Sequence, residues 1–185
     1  MRRIIRTVRR ALRIPFDRRQ AFKRLRVYHA RPRTLEETVA WAGSFGGHGD
    51  FAVKMLQIPS EITRLAHAVA ALKPKTILEI GTASGGTLLL WSSLASERVI
   101  SCDVQDMRFQ APLYQAFPPP GSRCQVKLLS GNSHDPGFKL RVAEELGGQK
   151  VDFLFIDGDH TEAGVTADYY DYREFVRPGG IIALH

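Results

Sequence analysis

The chain has 185 residues, of which 44% are hydrophobic and 24% charged. That suffices for one domain with a packed core and argues against a disordered chain. No apolar run is long enough to cross a bilayer. The two cysteines, Cys102 and Cys124, form no CxxC pair, which argues against a disulfide framework and fits a reducing, cytoplasmic setting. The net charge of +7 is uneven: residues 1–33 hold 13 Arg and Lys against the single acid Asp17, a surplus of +12 that leaves −5 for residues 34–185. The globular part is therefore mildly acidic, and a basic cleft built for nucleic acid is not expected.

Residues 1–33 read as a basic leader. Ile4, Ile5, Val8, Leu12 and Phe16 recur at helical spacing among arginines, and Pro15 is expected to break or kink that helix. Two readings stand beside each other. A basic amphipathic helix can lie on an anionic membrane surface through residues 1–26, peripheral to its inner face. Alternatively the leader is solvated, or docks on protein outside this chain. Residues 34–73 form a helical cap: a helix over Leu35–Trp41, a glycine-rich loop from Gly43 to Gly49, and a helix opening at Pro59-Ser60-Glu61 with Ser60 as N-cap.

From residue 74 onward strands and helices alternate. Strands are predicted at Thr76–Ile80, Val99–Asp103, Gln125–Leu129, Val151–Ile156 and Ile181–Leu184. Helices are predicted at Thr87–Leu94, Phe109–Ala116, Phe138–Leu146, and from the cap Thr161 to about Phe175; Arg177-Pro178-Gly179-Gly180 reads as a turn. Five apolar strands separated by helices predict an α/β fold, a doubly wound parallel sheet with helices on both faces. Ligands in such sheets bind beyond the carboxyl ends of the strands, so the polar residues just after each strand are the candidates.

Four groups stand there. After the first strand comes Glu79-Ile80-Gly81-Thr82-Ala83-Ser84-Gly85-Gly86, whose glycines suit a tight turn and a close ligand approach. Its spacing is not the GxGxxG of a dinucleotide site. Asp103 follows the second strand, where a carboxylate can accept from both hydroxyls of a ribose or simply close a turn. Asn132 and Ser133 follow the third and can read an adenine edge or serve as turn residues. Asp157-Gly158-Asp159-His160 follows the fourth: carboxylates suit Mg²⁺, and a histidine beside them can act as general base, or Asp159 and His160 can cap the next helix.

ILEIGTASGG, SCDVQD, LLSGNS, DFLFIDGDHT and RPGGIIALH, in this order, resemble the class I S-adenosylmethionine-dependent methyltransferases, with the macrocin-type, cephalosporin hydroxylase-like and rhamnosyl O-methyltransferase-like group nearest. The resemblance spans about residues 57–185 and implies a Rossmann-like core. It implies that Glu79, Gly81, Thr82, Ser84, Gly85, Asp103, Asn132 and Ser133 bind S-adenosylmethionine. It implies that Asp157 is a Mg²⁺ ligand, with His185 at the position of the next one, and that His160 with Asp157 is catalytic. The implied reaction is O-methylation of a sugar or small hydroxylated metabolite; the alternatives are a metal-independent methyltransferase and a non-catalytic cofactor-binding or membrane-associated remnant. The family's helix and β-hairpin beyond the fifth strand are not in this sequence, so a fragment, or a chain that associates with itself or a partner, is the expectation.

Overall fold

The computed structural model describes residues 2–185, with side chains from Arg13 onward. Helix α1 (Arg2–His29) leads into α2 (Leu35–Ser44), a 3-10 turn at Gly49–Phe51 and α3 (Pro59–Leu72). The remaining elements alternate: β1 (Thr76–Ile80), α4 (Gly86–Leu94), β2 (Arg98–Asp103), α5 (Ala111–Tyr114), β3 (Gln125–Ser130), α6 (Pro136–Leu146), β4 (Val151–Ile156), α7 (Glu162–Tyr172), a 3-10 turn at Arg173–Phe175 and β5 (Val176–Leu184). The strands form one parallel sheet in the order β3-β2-β1-β4-β5.

The alternation of side chains along each strand splits the core in two. Ile77, Val99, Phe153 and Phe155 face a cluster built with Trp91, Phe45 and Phe117 from the helices of the first half and the segment after α5. Leu78, Ile80, Ile100, Leu154 and Ile156 face Phe138 and Val142 of α6 and Tyr172 of α7. Both faces are covered, which explains why β4 is apolar at all but one position and why every residue of β1 is buried. The exception in β4, Asp152, accepts from Lys75 N at 2.7 Å, Thr76 N at 3.0 Å and Arg177 Nε at 2.6 Å. Burial works against its charge, but the guanidinium and two amides outweigh that and hold the carboxyl below its ordinary range.

Three local expectations are corrected. Pro15 does not break α1, which runs through it. The proline is exposed, so the carbonyl it leaves unpaired can be solvated. Ser60 is not the cap of α3: Ile58 takes that place and Pro59, with its preset φ, begins the helix. Residues Arg177–Gly180 belong to β5, where the register with β4 shifts between Val151 and Phe153. Arg177 on Asp152 pins the irregular stretch, and Gly180 lies where a Cβ would come 2.8 Å from the Asp152 carbonyl.

Over its described part the leader docks by one face on this chain's own domain. Ala21, Leu25 and Tyr28 of α1 are buried, Arg24 Nη1 donates to the Phe45 carbonyl at 2.6 Å, and the helix lies against the Gly49–Phe51 turn and α5. The expected apolar stripe of Ile4, Ile5, Val8 and Leu12 lies outside the described side chains. None of the described helices is long and apolar enough to cross a membrane. Truncation of a docked leucine should be felt and truncation of an outward lysine should not. Urea unfolding is expected to show Leu25→Ala losing about 2–4 kcal/mol, while Lys23→Ala stays within about 0.5 kcal/mol of the parent.

Candidate functional site at the carboxyl edge of the sheet

The parallel ladder continues one step past the ends of the strands. Gly131 N donates to Asp103 O at 2.8 Å, Gly81 N to Cys102 O at 2.8 Å, Asp157 N to Ile80 O at 2.7 Å and His185 N to Ile156 O at 3.0 Å. These bonds set Asp103, Gly81, Asp157 and His185 side by side along one edge. A cleft of about 410 Å³ opens there, lined among others by Gly81, Asp103, Asn132, Ser133 and Asp157, within the size range of small-molecule sites. Another hollow, of about 460 Å³, lies between Tyr28–Arg33, Leu94 and Pro119, away from the strand ends and with no carboxylate in its lining.

The β1–α4 turn owes its glycines to protein contacts. A Cβ on Gly81, whose φ is +101°, would come 2.2 Å from the Asp157 carbonyl oxygen, and one on Gly86 would come 2.3 Å from Met55 N. The turn is thus wedged between the β4–α7 loop and the cap. Gly85 is held against the Tyr114 ring. Glu79, Thr82, Ser84 and Gly85 do not line the cleft. Glu79 and Thr82 instead brace the turn from below: Ser101 donates to the wholly buried Glu79, and the hydroxyls of Thr82 and Ser101 lie 2.6 Å apart. Burial raises the Glu79 carboxyl from its ordinary 4.5 to about 7, only partly offset by the hydroxyls of Ser101 and Thr87.

Asp103 lines the cleft, closes the turn that follows it and ties that turn to the β1–α4 turn. Its Oδ2 accepts from Ala83 N at 2.7 Å and its Oδ1 from Gln105 N at 2.8 Å. Each oxygen keeps lone-pair capacity for a further donor. Asn132 Oδ1 accepts from His134 N at 3.0 Å. Asp159 Oδ1 accepts from Thr161 N at 2.9 Å, as a turn residue does, and Thr161 caps α7 through Gly164 N.

Asp157 is the centre of the site. His185 Nδ1 lies 2.9 Å and His160 Nε2 3.1 Å from the same oxygen, Oδ1, while Gln57 Nε2 donates to Oδ2 at 2.6 Å. The Asp157 side chain is only 8% exposed and that of His160 61%. Burial raises the Asp157 carboxyl above its ordinary range, and the two imidazoles pull it partly back. Asp157, His160 and His185 each offer a donor atom within 4.8 Å of the others. One carboxylate with two imidazoles suits Zn²⁺, Fe²⁺ or Mn²⁺ better than Mg²⁺, which demands oxygen ligands. These three donors are therefore a poor match for the expected Mg²⁺.

A family model described as a methyltransferase domain matches residues 78–185, more than half of the chain and the whole of this edge. The chain belongs to the methyltransferase domain family. Solved structures agree in fold. The MycE methyltransferase of the mycinamycin biosynthetic pathway, in complex with Mg and S-adenosylhomocysteine (SAH), superposes with a TM-score of 0.58 at 21% identity over 83% of this chain and 39% of that one. The Bacillus cereus O-methyltransferase in complex with SAH gives 0.54 at 19% over 83% and 66%. The SAH-bound Podospora anserina methyltransferase PaMTH1 gives 0.54 at 24% over 83% and 62%. No curated protein matches the chain. The chain thus spans 39% of the mycinamycin enzyme's length and just under two thirds of the other two.

In this methyltransferase domain Gly81, Asp103, Asn132, Ser133 and Asp157, singled out in the sequence, come together in the lining of the cleft. Gln57 had no motif to mark it, and its contact with Asp157 spans 100 positions. His48 is exposed at the entry to the Gly49–Phe51 turn. The raised carboxyl of Glu79 gives a pH dependence whose sign follows from linkage. The folded state keeps the proton over a range where the unfolded chain has lost it, so Glu79 lowers stability as pH rises from 4.5 to about 7, with no further change above. Urea unfolding at about pH 5 and about pH 8 is expected to show Glu79→Gln removing up to about 3 kcal/mol of that decline.

Proposed function

We propose that this domain transfers a methyl group from S-adenosylmethionine to a hydroxyl oxygen of a small acceptor. The observation that carries the reading is the pairing of exposed His160 with buried Asp157 at the rim of the cleft. The donor set of the cleft suits the cofactor: Asp103 has lone pairs left for a ribose, and Asn132, another lining residue, carries an amide of the kind that reads an adenine edge. Gly81 and Ala83 line the same cleft. When bound, the cofactor supplies an electrophilic methyl on a sulfonium, which departs as a neutral sulfide when the acceptor oxygen attacks in line.

The residues of the chain prepare that attack. A hydroxyl is a poor nucleophile until it loses its proton. Asp157 fixes the His160 ring through Nε2 and leaves Nδ1 to accept the proton from the acceptor. The resulting imidazolium is held by the Asp157 carboxylate. Gln57 and His185 orient Asp157 from the other side and limit its movement. Should a divalent ion serve the reaction, Asp157, His185 and His160 are the residues that would hold it, and their donor chemistry favours a borderline transition ion.

Calorimetry of S-adenosylmethionine binding tests the cofactor half. Asp103→Ala is expected to weaken binding about tenfold or more, a loss of roughly 1.4 kcal/mol; a folded parent that binds nothing would sink the reading. An acceptor screen tests the chemical half. His160→Ala is expected to lower kcat by about 10²–10⁴ while cofactor affinity holds. Chelation separates the two forms of the mechanism: unchanged turnover marks a metal-independent His160–Asp157 pair, and loss restored by Mn²⁺ or Zn²⁺ rather than Mg²⁺ marks a metal in the cluster.

A further inference from the structure

Helix α1 has two stripes of the same spacing. Ala21, Leu25 and Tyr28 form the buried one. Arg19, Lys23 and Arg26 repeat that spacing two residues earlier, which at 100° per residue sets them about 200° round the helix, facing out. All three are exposed, and among the described residues none has an ion-pair partner. Two large apolar side chains share this outer surface, Phe16 at 60% and Val27 at 52% exposure. Phe16, Arg19, Gln20, Lys23, Arg26 and Val27 together line one shallow surface hollow.

We propose that this outer stripe of α1 is a docking surface for an anionic lipid bilayer. A flat anionic surface takes basic heads at the headgroup level and apolar side chains just below it, and the stripe interleaves both. Five further arginines in residues 2–10 extend the same charge along the chain. Two other occupants fit less well. A second copy of the chain would bring two like-charged stripes together. A nucleic acid strand would run on from the helix over a domain whose net charge is −5 over residues 34–185, whereas a bilayer can touch α1 alone.

The surface is also rigidly mounted. Its inner side is fixed by Ala21, Leu25 and Tyr28 and by the Arg24–Phe45 hydrogen bond. Lipid contact through the stripe would therefore hold the whole domain at the membrane in one orientation, not on a loose tail. Nothing in this proposal depends on the chemistry at Asp157.

Flotation of the full chain with vesicles of phosphatidylcholine and phosphatidylserine, against pure phosphatidylcholine, tests it. The protein is expected to float with the anionic vesicles only, and to be released by salt. Arg19→Glu with Lys23→Glu and Arg26→Glu is expected to lower binding at least about a hundredfold. Phe16→Ser with Val27→Ser is expected to lower it about tenfold. The substituted side chains are exposed, so unchanged melting temperatures provide the control for folding. Equal binding to both vesicle types, salt-insensitive binding, unaltered binding by the folded triple variant, or capture by nucleic acid in preference to anionic vesicles would each overturn the proposal.

Discussion

Parallel register at the centre of the sheet is the constraint on which the site rests. The amides of Gly131, Gly81, Asp157 and His185 each bond to the neighbouring strand one step beyond the regular ladder, so the polar residues that follow the strands emerge in a single row. A slip of one residue would turn every side chain to the opposite face of the sheet and carry Asp157 away from His185. The glycine turn and the Asp157 loop are bound more tightly still. Gly81 crosses Asp157 at a distance that admits no Cβ, so the wall of the cleft and the Asp157 cluster move as one body.

Electrostatics along this edge follow from burial. Glu79 and Asp157 are both withdrawn from water, both carboxyls are raised, and each charge disfavours the other. They are answered differently. Glu79 meets the hydroxyls of Ser101 and Thr87 and the Trp91 side chain, and ties the first strand to the second. Asp157 meets two imidazoles and an amide, groups that can donate to it and, in the case of exposed His160, also exchange a proton with something in the cleft. The first arrangement braces the scaffold, and the second is the one on which the proposed proton transfer rests.

The N-terminal third of the chain is part of this wall and not an appendage. The segment around Lys54 and Met55 presses on Gly86 at the head of α4, and two residues later Gln57 reaches Asp157. The Gly49–Phe51 turn just before it is one of the elements on which α1 lies. A helix whose outer stripe is basic thus stands one packing layer from the residues that hold Asp157 in place.

Much of the architecture was legible in the sequence because its signals are local. Short apolar-rich runs marked all five strands, the segments between them marked the helices, and the parallel α/β class followed from their alternation. Residue types just after the strands drew attention to Asp103, Asn132, Ser133, Asp157 and His160. Three local expectations fail for different reasons: exposed Pro15 leaves a carbonyl that water can satisfy, Pro59 starts its helix one residue before Ser60, and pairing with the fourth strand draws Arg177–Gly180 into the sheet. The glycines of the β1–α4 turn also answer protein contacts that their spacing does not announce: an added Cβ on Gly81, Gly85 or Gly86 would meet the Asp157 backbone, the Tyr114 ring or the Met55 amide. The sequence determined which elements form and which residues end them, since periodicity and turn chemistry act over a few residues. Only the tertiary structure decided that β1 lies beside β4, that α1 docks by its Ala21–Tyr28 stripe and that Gln57 meets Asp157, because those contacts depend on pairing between segments far apart in the chain, which no local pattern encodes.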